Sequence, residues 1–177
     1  DTAFVGSSVE GIVTDLVRAK RMREQGVAID YLSTTNAYWQ LLANRKARLK
    51  RINQFGDKMI GMTRYSATDY LCDCVLGSAR MHSIAFRIQV NDVNIRLRML
   101  LNNEMDAVWL AEPFATTARL AGHNVVMDSR DINKRLGVIA LRANRVMDER
   151  RKKQIVAFVK AYNAACDSIN VNGMGHY

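Results

Sequence analysis

The chain has 177 residues, 49% of them hydrophobic, a net charge of +9 and one proline. That content can bury a substantial core, and no run of about 18 apolar residues marks a membrane span. Three basic stretches, residues 18–23, 44–51 and 149–153, fall on or beside separate predicted helices without interleaved aromatics or any zinc-finger or RNA-recognition signature, so they read as solvated faces and no nucleic-acid partner is expected.

Residues 2–6 read as a short strand, and Ser7, Ser8, Val9 and Glu10 as a helix start in which a serine is the N-cap. Val9, Ile12, Val13, Leu16 and Val17 recur at helical spacing until Gly26 ends the helix. Residues 28–32 form the next strand, and Ser33, Thr34, Thr35 and Asn36 give a polar turn at its carboxyl end. Ser7, Ser8, Thr34 and Asn36 thus present backbone N–H and hydroxyl groups on one edge, suited to a carboxylate, sulfonate or phosphate ester, although such turns also simply cap helices.

Residues 38–43 are apolar and open between strand and helix. Leu49, Ile52 and Phe55 make a short amphipathic helix stopped at Gly56, and residues 58–63 are a strand whose polar turn is residues 64–68. Ser66 and Thr68 stand at the start of the helix at residues 69–76, where unpaired N–H groups and the positive dipole end favour an anion. Arg64 adds a charged fork there. Asp69, just inside the helix, is an alternative source of the negative charge.

Residues 84–90 form a strand with Asn91 and Asp92 as its polar exit. Residues 93–101 form a helix with Val93, Leu97, Leu100 and Leu101 facing inward. Ala107, Val108, Trp109 and Leu110 follow almost without a break in residues 105–110, as in a strand covered on both faces of a parallel sheet. Pro113 stops it, and residues 114–120 are a short helix. Glu112 therefore sits where a parallel strand hands over to a helix, the edge that holds ligands in open α/β sheets. Asn91 is a candidate on the same edge. Residues 123–129 read as an edge strand and residues 136–141 as a further strand. Ile155, Val156, Phe158, Val159, Tyr162, Cys166 and Ile169 mark a long amphipathic helix opened by residues 148–151.

The run Asp106-Ala107-Val108-Trp109 followed by Glu112-Pro113 and a helix resembles the substrate-binding proteins of bacterial ABC importers, in the nitrate, sulfonate and thiamine-precursor class. Residues 58–71 look like that family's strand, Ser/Thr-rich turn and helix opening lobe two. Weaker likeness runs from Phe4-Val5-Gly6-Ser7 to residues 157–162. The resemblance implies an α/β, type II periplasmic-binding-protein-like fold of two lobes joined by hinge strands, with lobe one incomplete. It implies lobe one at residues 1–46, lobe two inserted at 47–135, and a return to lobe one at 136–177, whose long helix packs back on it. By the same resemblance residues 38–43 cross toward the hinge and residues 44–48 are the first hinge segment. The chain is then expected to be a central fragment of a longer one, periplasmic or lipid-anchored at the cell envelope. Its partners are a small-molecule solute and an ABC permease, and no cofactor is implied. Arg64, Ser66 and Thr68 would hold the anionic end of the solute, with Asn91, Glu112, Ser7, Ser8, Thr34 and Asn36 completing the shell; Glu112 would contact a ligand amine or steady its loop.

Catalysis finds little support in the pattern. His82, His123 and His176 are scattered without ligand-spaced partners, so no metal site is expected, and neither a nucleophile elbow nor a phosphate loop is present. The fold also resembles that of thiamine-pyrimidine synthases, whose cysteine-rich loop has only Cys72-Asp73-Cys74 as a counterpart here. A ligand-sensing domain of a transcription regulator shares the same architecture and is the alternative from another class. Cys72 and Cys74 point to different faces of their helix and read, with Cys166, as buried thiols; in an exported chain a pairing of Cys166 with one of them stays open.

Overall fold

The computed structural model describes residues 2–143 and 148–173. It begins with helix α1 (Thr2–Val5), strand β1 (Gly11–Asp15), helix α2 (Leu16–Glu24) and strand β2 (Ile29–Thr34). Next come β3 (Trp39–Ala43), β4 (Met59–Met62), α3 (Ala67–Gly77), β5 (Phe86–Gln89) and α4 (Val93–Leu101). The chain ends with β6 (Ala107–Ala111), α5 (Phe114–Leu120), β7 (Asn124–Asp128), β8 (Gly137–Arg142) and α6 (Glu149–Asn172). The strands make a three-stranded sheet in the order β1-β8-β2 and a five-stranded one in the order β5-β4-β6-β3-β7.

The larger sheet is a sandwich filling built on period-two alternation. Ala107 and Trp109 of β6 point into one apolar cluster with Leu71, Cys72 and Val75 of α3. Val108 and Leu110 point into the other, with Leu97 and Leu100 of α4 and Ala115 and Ala118 of α5. β3 repeats the division, Leu41 and Ala43 on the α3 side and Leu42 on the other. Both faces are thus covered, as the apolar run of β6 requires. The sheet is mixed, however: β4 pairs in parallel with β5 and β6, whereas β3 runs antiparallel to β6 and β7.

β3 therefore belongs wholly to the five-stranded sheet, and the chain passes between sheets at residues 35–38 instead of residues 44–48. The return passage, from β7 to β8, lies beside it. Trp39 and Ser129 exchange bonds, Trp39 N donating to Ser129 Oγ (3.0 Å) and Ser129 N to the Trp39 carbonyl (2.9 Å). Thr35 N donates to the Gly137 carbonyl at 2.9 Å. A Cβ on Gly137 would meet Thr35 Oγ1 at 2.1 Å, so only glycine allows the two passages this close.

The amino-terminal reading needs correction. Residues 2–6 hold the short helix α1, with Phe4 fully buried, and the strand is Gly11–Asp15. The N-cap of α2 is Asp15, whose carboxylate accepts from Arg18 N at 2.9 Å, so neither Ser7 nor Ser8 caps a helix. Ile12, Val13 and Thr14 are β-branched, and the available partner β8 decides for strand where the spacing alone allowed helix. Arg142 fastens the segment, its Nε donating to the Val9 carbonyl and Nη2 to that of Val5, both at 3.3 Å.

Residues 143–177 form a compact unit of their own, containing α6, which is capped by Asp148 accepting from Arg151 N at 2.7 Å and carries Phe158 stacked on Tyr162. Among the described residues no helix is long and apolar enough to cross a membrane.

Leu100 and Leu101 differ sharply within α4: Leu100 is fully buried, and Leu101, expected to face inward, is 36% exposed. Leu100→Ala should therefore cost about 2–5 kcal/mol and Leu101→Ala under about 1 kcal/mol, as measured by urea unfolding.

Candidate functional site

Register identifies which end of each sheet can form a site. In the small sheet Asp15 pairs with Gly137 and Thr34 with Val138, so both end one edge, whereas Gly11 and Ile29 lie opposite Leu141 and Arg142 at the other. Thr34 and Asn36 therefore share an edge with Asp15. Ser7 and Ser8, which precede Gly11, sit by the opposite end of β1, and the structure does not bring them to the other candidates. In the large sheet the carboxyl ends of β4, β5 and β6 carry Arg64, Asn91 and Glu112 to one edge.

The two edges meet. α2 packs against α3, and Arg21 of α2 lies over the Tyr65 ring at 3.7 Å. Tyr65 has a φ of 56°, uncommon for a bulky side chain, and its N–H is held by Asp69 Oδ2 at 2.9 Å. Asp15 is 7% exposed, and its carboxyl lies against the Ala67 N–H at the start of α3 as well as capping α2. Burial pushes this carboxyl above its ordinary value, opposed by the Arg18 and Ala67 N–H groups and the Arg18 charge. The helix end expected to receive an external anion thus faces a carboxylate of the chain itself.

The hydroxyls at that turn are consumed locally. Ser66 is the N-cap of α3, accepting from Thr68 N at 3.2 Å and donating to the Thr63 carbonyl at 2.7 Å. Thr68 Oγ1 accepts from Thr63 N at 2.9 Å and lies 2.9 Å from Ser66 Oγ. Both side chains are buried, so they shape the turn. Arg64 is at the rim, half exposed, with Nε 3.9 Å from Asp69. Asp69 also meets Arg87, and so supplies the negative charge that was the alternative to an external anion. Asn91 is exposed and accepts from Gln89 Nε2 at 3.2 Å.

Glu112 steadies its loop. Its carboxylate accepts from Tyr38 Oη (2.7 Å), Arg119 Nη2 (2.9 Å), Thr116 N (3.0 Å) and Thr116 Oγ1 (2.7 Å). Burial opposes its ionisation, but the hydrogen bonds from Thr116, Tyr38 and Arg119 prevail and hold it at about 2. The network closes on itself: Arg119 donates to Gln40, Gln40 Nε2 to Asp128 Oδ2 at 2.7 Å, Arg130 Nη2 to Asp128 at 2.7 Å, and Arg130 lies over the Tyr38 ring at 3.7 Å. Tyr38 and Arg130 sit on the two passages between sheets, so this ring braces them where they leave β3 and β7.

Sequence reasoning missed Asp15, Arg18, Tyr38 and Arg96. Arg96 had a signal, being a cation at helical spacing between Val93 and Leu100 on the inward face. It is 5% exposed and joins the ends of three strands, donating from Nε to the Trp109 carbonyl (2.9 Å) and from Nη1 to Thr63 Oγ1 (2.8 Å) and the Val90 carbonyl (2.6 Å). Cys72 is also buried, against Trp109, and burial pushes its thiol up to about 12, which leaves no nucleophile at neutral pH. All three cysteines are free. Among the described residues no group of His, Cys, Asp and Glu could hold a metal ion, and His176 lies outside them.

This architecture is the α/β type II periplasmic-binding-protein fold, in which two lobes are joined by crossing segments. The alkanesulfonate-binding protein SsuA of Xanthomonas axonopodis pv. citri, bound to MOPS, superposes with a TM-score of 0.74 at 15% identity, over 98% of this chain and 61% of that one. The periplasmic aliphatic sulphonate binding protein SsuA of Escherichia coli gives 0.72 at 15% identity, over 98% and 60%. The arginine-, lysine-, histidine-binding protein ArtJ of Geobacillus stearothermophilus gives 0.66 at 14% identity, over 98% and 73%. The chain therefore spans less than two thirds of the length of the two sulfonate-binding proteins. No family model and no curated protein matches it.

Glu112 and Asp128 set an acid limit. Unfolded, they titrate at their ordinary 4.5 and 3.8; folded, both are held at about 2. The unfolded chain therefore binds more protons as pH falls from about 4.5, and the stabilisation, complete above that value, is lost toward pH 2. Urea unfolding between pH 5 and 2.5 should show this loss, with a shallower pH slope in Glu112→Gln.

Proposed function

We propose that this chain captures a small solute between its lobes by hinge closure and serves an ABC permease in the periplasm, within the nitrate, sulfonate and thiamine-precursor class. The observation that carries the reading is the apposition of the two sheet edges, Asp15 against the α3 start and Arg21 over Tyr65, across two adjacent passages. Solute contacts available only in the closed state would favour that state. Because β3 belongs to the larger sheet, we take residues 39–128 as one moving lobe and the three-stranded sheet as the body of the other.

Thr34, Asn36 and Asn91 stand exposed at the facing edges and supply hydrogen bonds in this reading, while Arg64 guards the rim. Ser66, Thr68 and Glu112 position backbone instead of touching solute. The solute is small, either anionic or heterocyclic, and the work is capture without chemistry.

Native and denaturing mass spectrometry of the full-length protein tests this. One retained small molecule, released unchanged on denaturation, is the expected result, with X-ray scattering showing compaction when it is added back. A dimer with no retained molecule and a DNA-binding extension would replace the reading with a ligand-sensing domain, and a chemically altered molecule would replace it with an enzyme. Arg64→Ala should weaken solute affinity by about fivefold or less, as befits a half-exposed charge.

A further inference from the structure

The fold treats the three basic stretches differently. In residues 18–23, Arg18 pairs with Asp15 and Lys20 with Glu24, and Arg21 and Arg23 lie over the rings of Tyr65 and Tyr31. In residues 149–153, Lys152 pairs with Glu149 at 2.7 Å. Residues 44–51 contain no acid, and all five of their cations, Arg45, Lys46, Arg48, Lys50 and Arg51, are exposed. Among the described residues none of the five pairs with a carboxylate or lies over an aromatic ring.

The backbone beneath these charges is fixed. Arg45 N donates to His123 Nδ1 (3.3 Å), Lys46 N to Asn44 Oδ1 (2.8 Å), and Lys50 N and Arg51 N to Gln54 Oε1 (2.7 and 2.9 Å). Asn44 is buried and donates from Nδ2 to the Leu100 carbonyl at 2.9 Å, while Leu49 is buried and Ala47 packs against the same apolar cluster. The anchors turn inward and the cations outward, so presenting them costs little ordering of the chain. The loop follows Ala43, which lies opposite Ala107, and therefore stands at the amino-terminal edge of β6, away from Arg64, Asn91 and Glu112. The carboxylates at that edge are fewer and bonded elsewhere: Asp57 to Ser83 Oγ, Glu104 to Asn102 Nδ2 and Asp106 to Met59 N.

We infer that residues 45–51 dock the protein on a layer of anionic phospholipid headgroups, leaving the opposite edge free. Phosphates in a fluid layer move sideways to fit a fixed cluster, and each added Lys or Arg near such a surface strengthens attachment. A stable protein partner would call for apolar or aromatic anchors, and the exposed residues of this loop include none. Reading a duplex calls for a helix or ribbon in the major groove, and a single strand for stacking rings; a loop of turns supplies neither. The inference stands apart from solute capture and needs no closure of the lobes.

Sedimentation of the full-length protein with vesicles tests it, using phosphatidylcholine alone and phosphatidylcholine mixed with phosphatidylglycerol, at low and high sodium chloride. Saturable binding to the mixed vesicles at low salt, lost at high salt, is the expected result. Lys46→Gln with Lys50→Gln should weaken it by about tenfold or more. Arg150→Gln with Lys153→Gln removes the same charge from exposed positions on α6 and should weaken it by about twofold or less. Equal binding to the two kinds of vesicle overturns the inference, and so does equal weakening by the two variants, because the net charge of +9 would then suffice. Neither variant touches Asn44, Leu49 or Gln54; should the first still fail to fold, binding of the unaltered protein that persists at high salt counts against the surface. Retention by duplex DNA without binding to the mixed vesicles overturns it in favour of a nucleic acid.

Discussion

β6 must be covered on both faces, and the other elements of the larger sheet are placed by that requirement. Trp109 turns toward α3 and Val108 and Leu110 toward α4 and α5, so neither layer can be removed without exposing a strand that has almost no polar surface. Trp109 is the largest fully buried side chain among the described residues, and its carbonyl accepts from Arg96, which is also buried. The core strand and the Arg96 tie between the strand ends are therefore one construction. Moving α4 would disturb both.

Charge is distributed by the same logic. The carboxylates near the edge are all engaged: Glu112 and Asp128 brace the passages, and Asp15 caps α2 while facing α3. Through Glu112 and Asp128, Tyr38 and Arg130 on the passages between the sheets are tied back to the larger one. Arg96 ties the ends of the parallel strands through two carbonyls and a hydroxyl.

Much of the larger sheet was legible because its signals were local. Asp92 followed by Val93, Leu97 and Leu100 marked α4, Pro113 stopped β6, and the helix after it began at Phe114, all as found. The amino-terminal region was not legible, because Val9, Ile12, Val13 and Leu16 fit a helix by spacing and a strand by β-branching. Only pairing with β8, more than a hundred residues later, settles it. Asp15 was hidden by that error. Ser66 and Thr68 were found, but their hydroxyls turned inward, since a buried turn must satisfy its own polar groups before it can serve a ligand.

The sequence by itself determined which segments are apolar on two faces, where helices begin, and which edge of the parallel strands would carry polar residues, because these follow from spacing within ten or so residues. Tertiary structure alone decided the assignment of β3 to the larger sheet, the meeting of Asp15 with α3, and the ring of hydrogen bonds that closes around Glu112. Each of those depends on partners far apart in the chain, and hydrogen-bond satisfaction is a property of the assembled neighbourhood that no local pattern encodes.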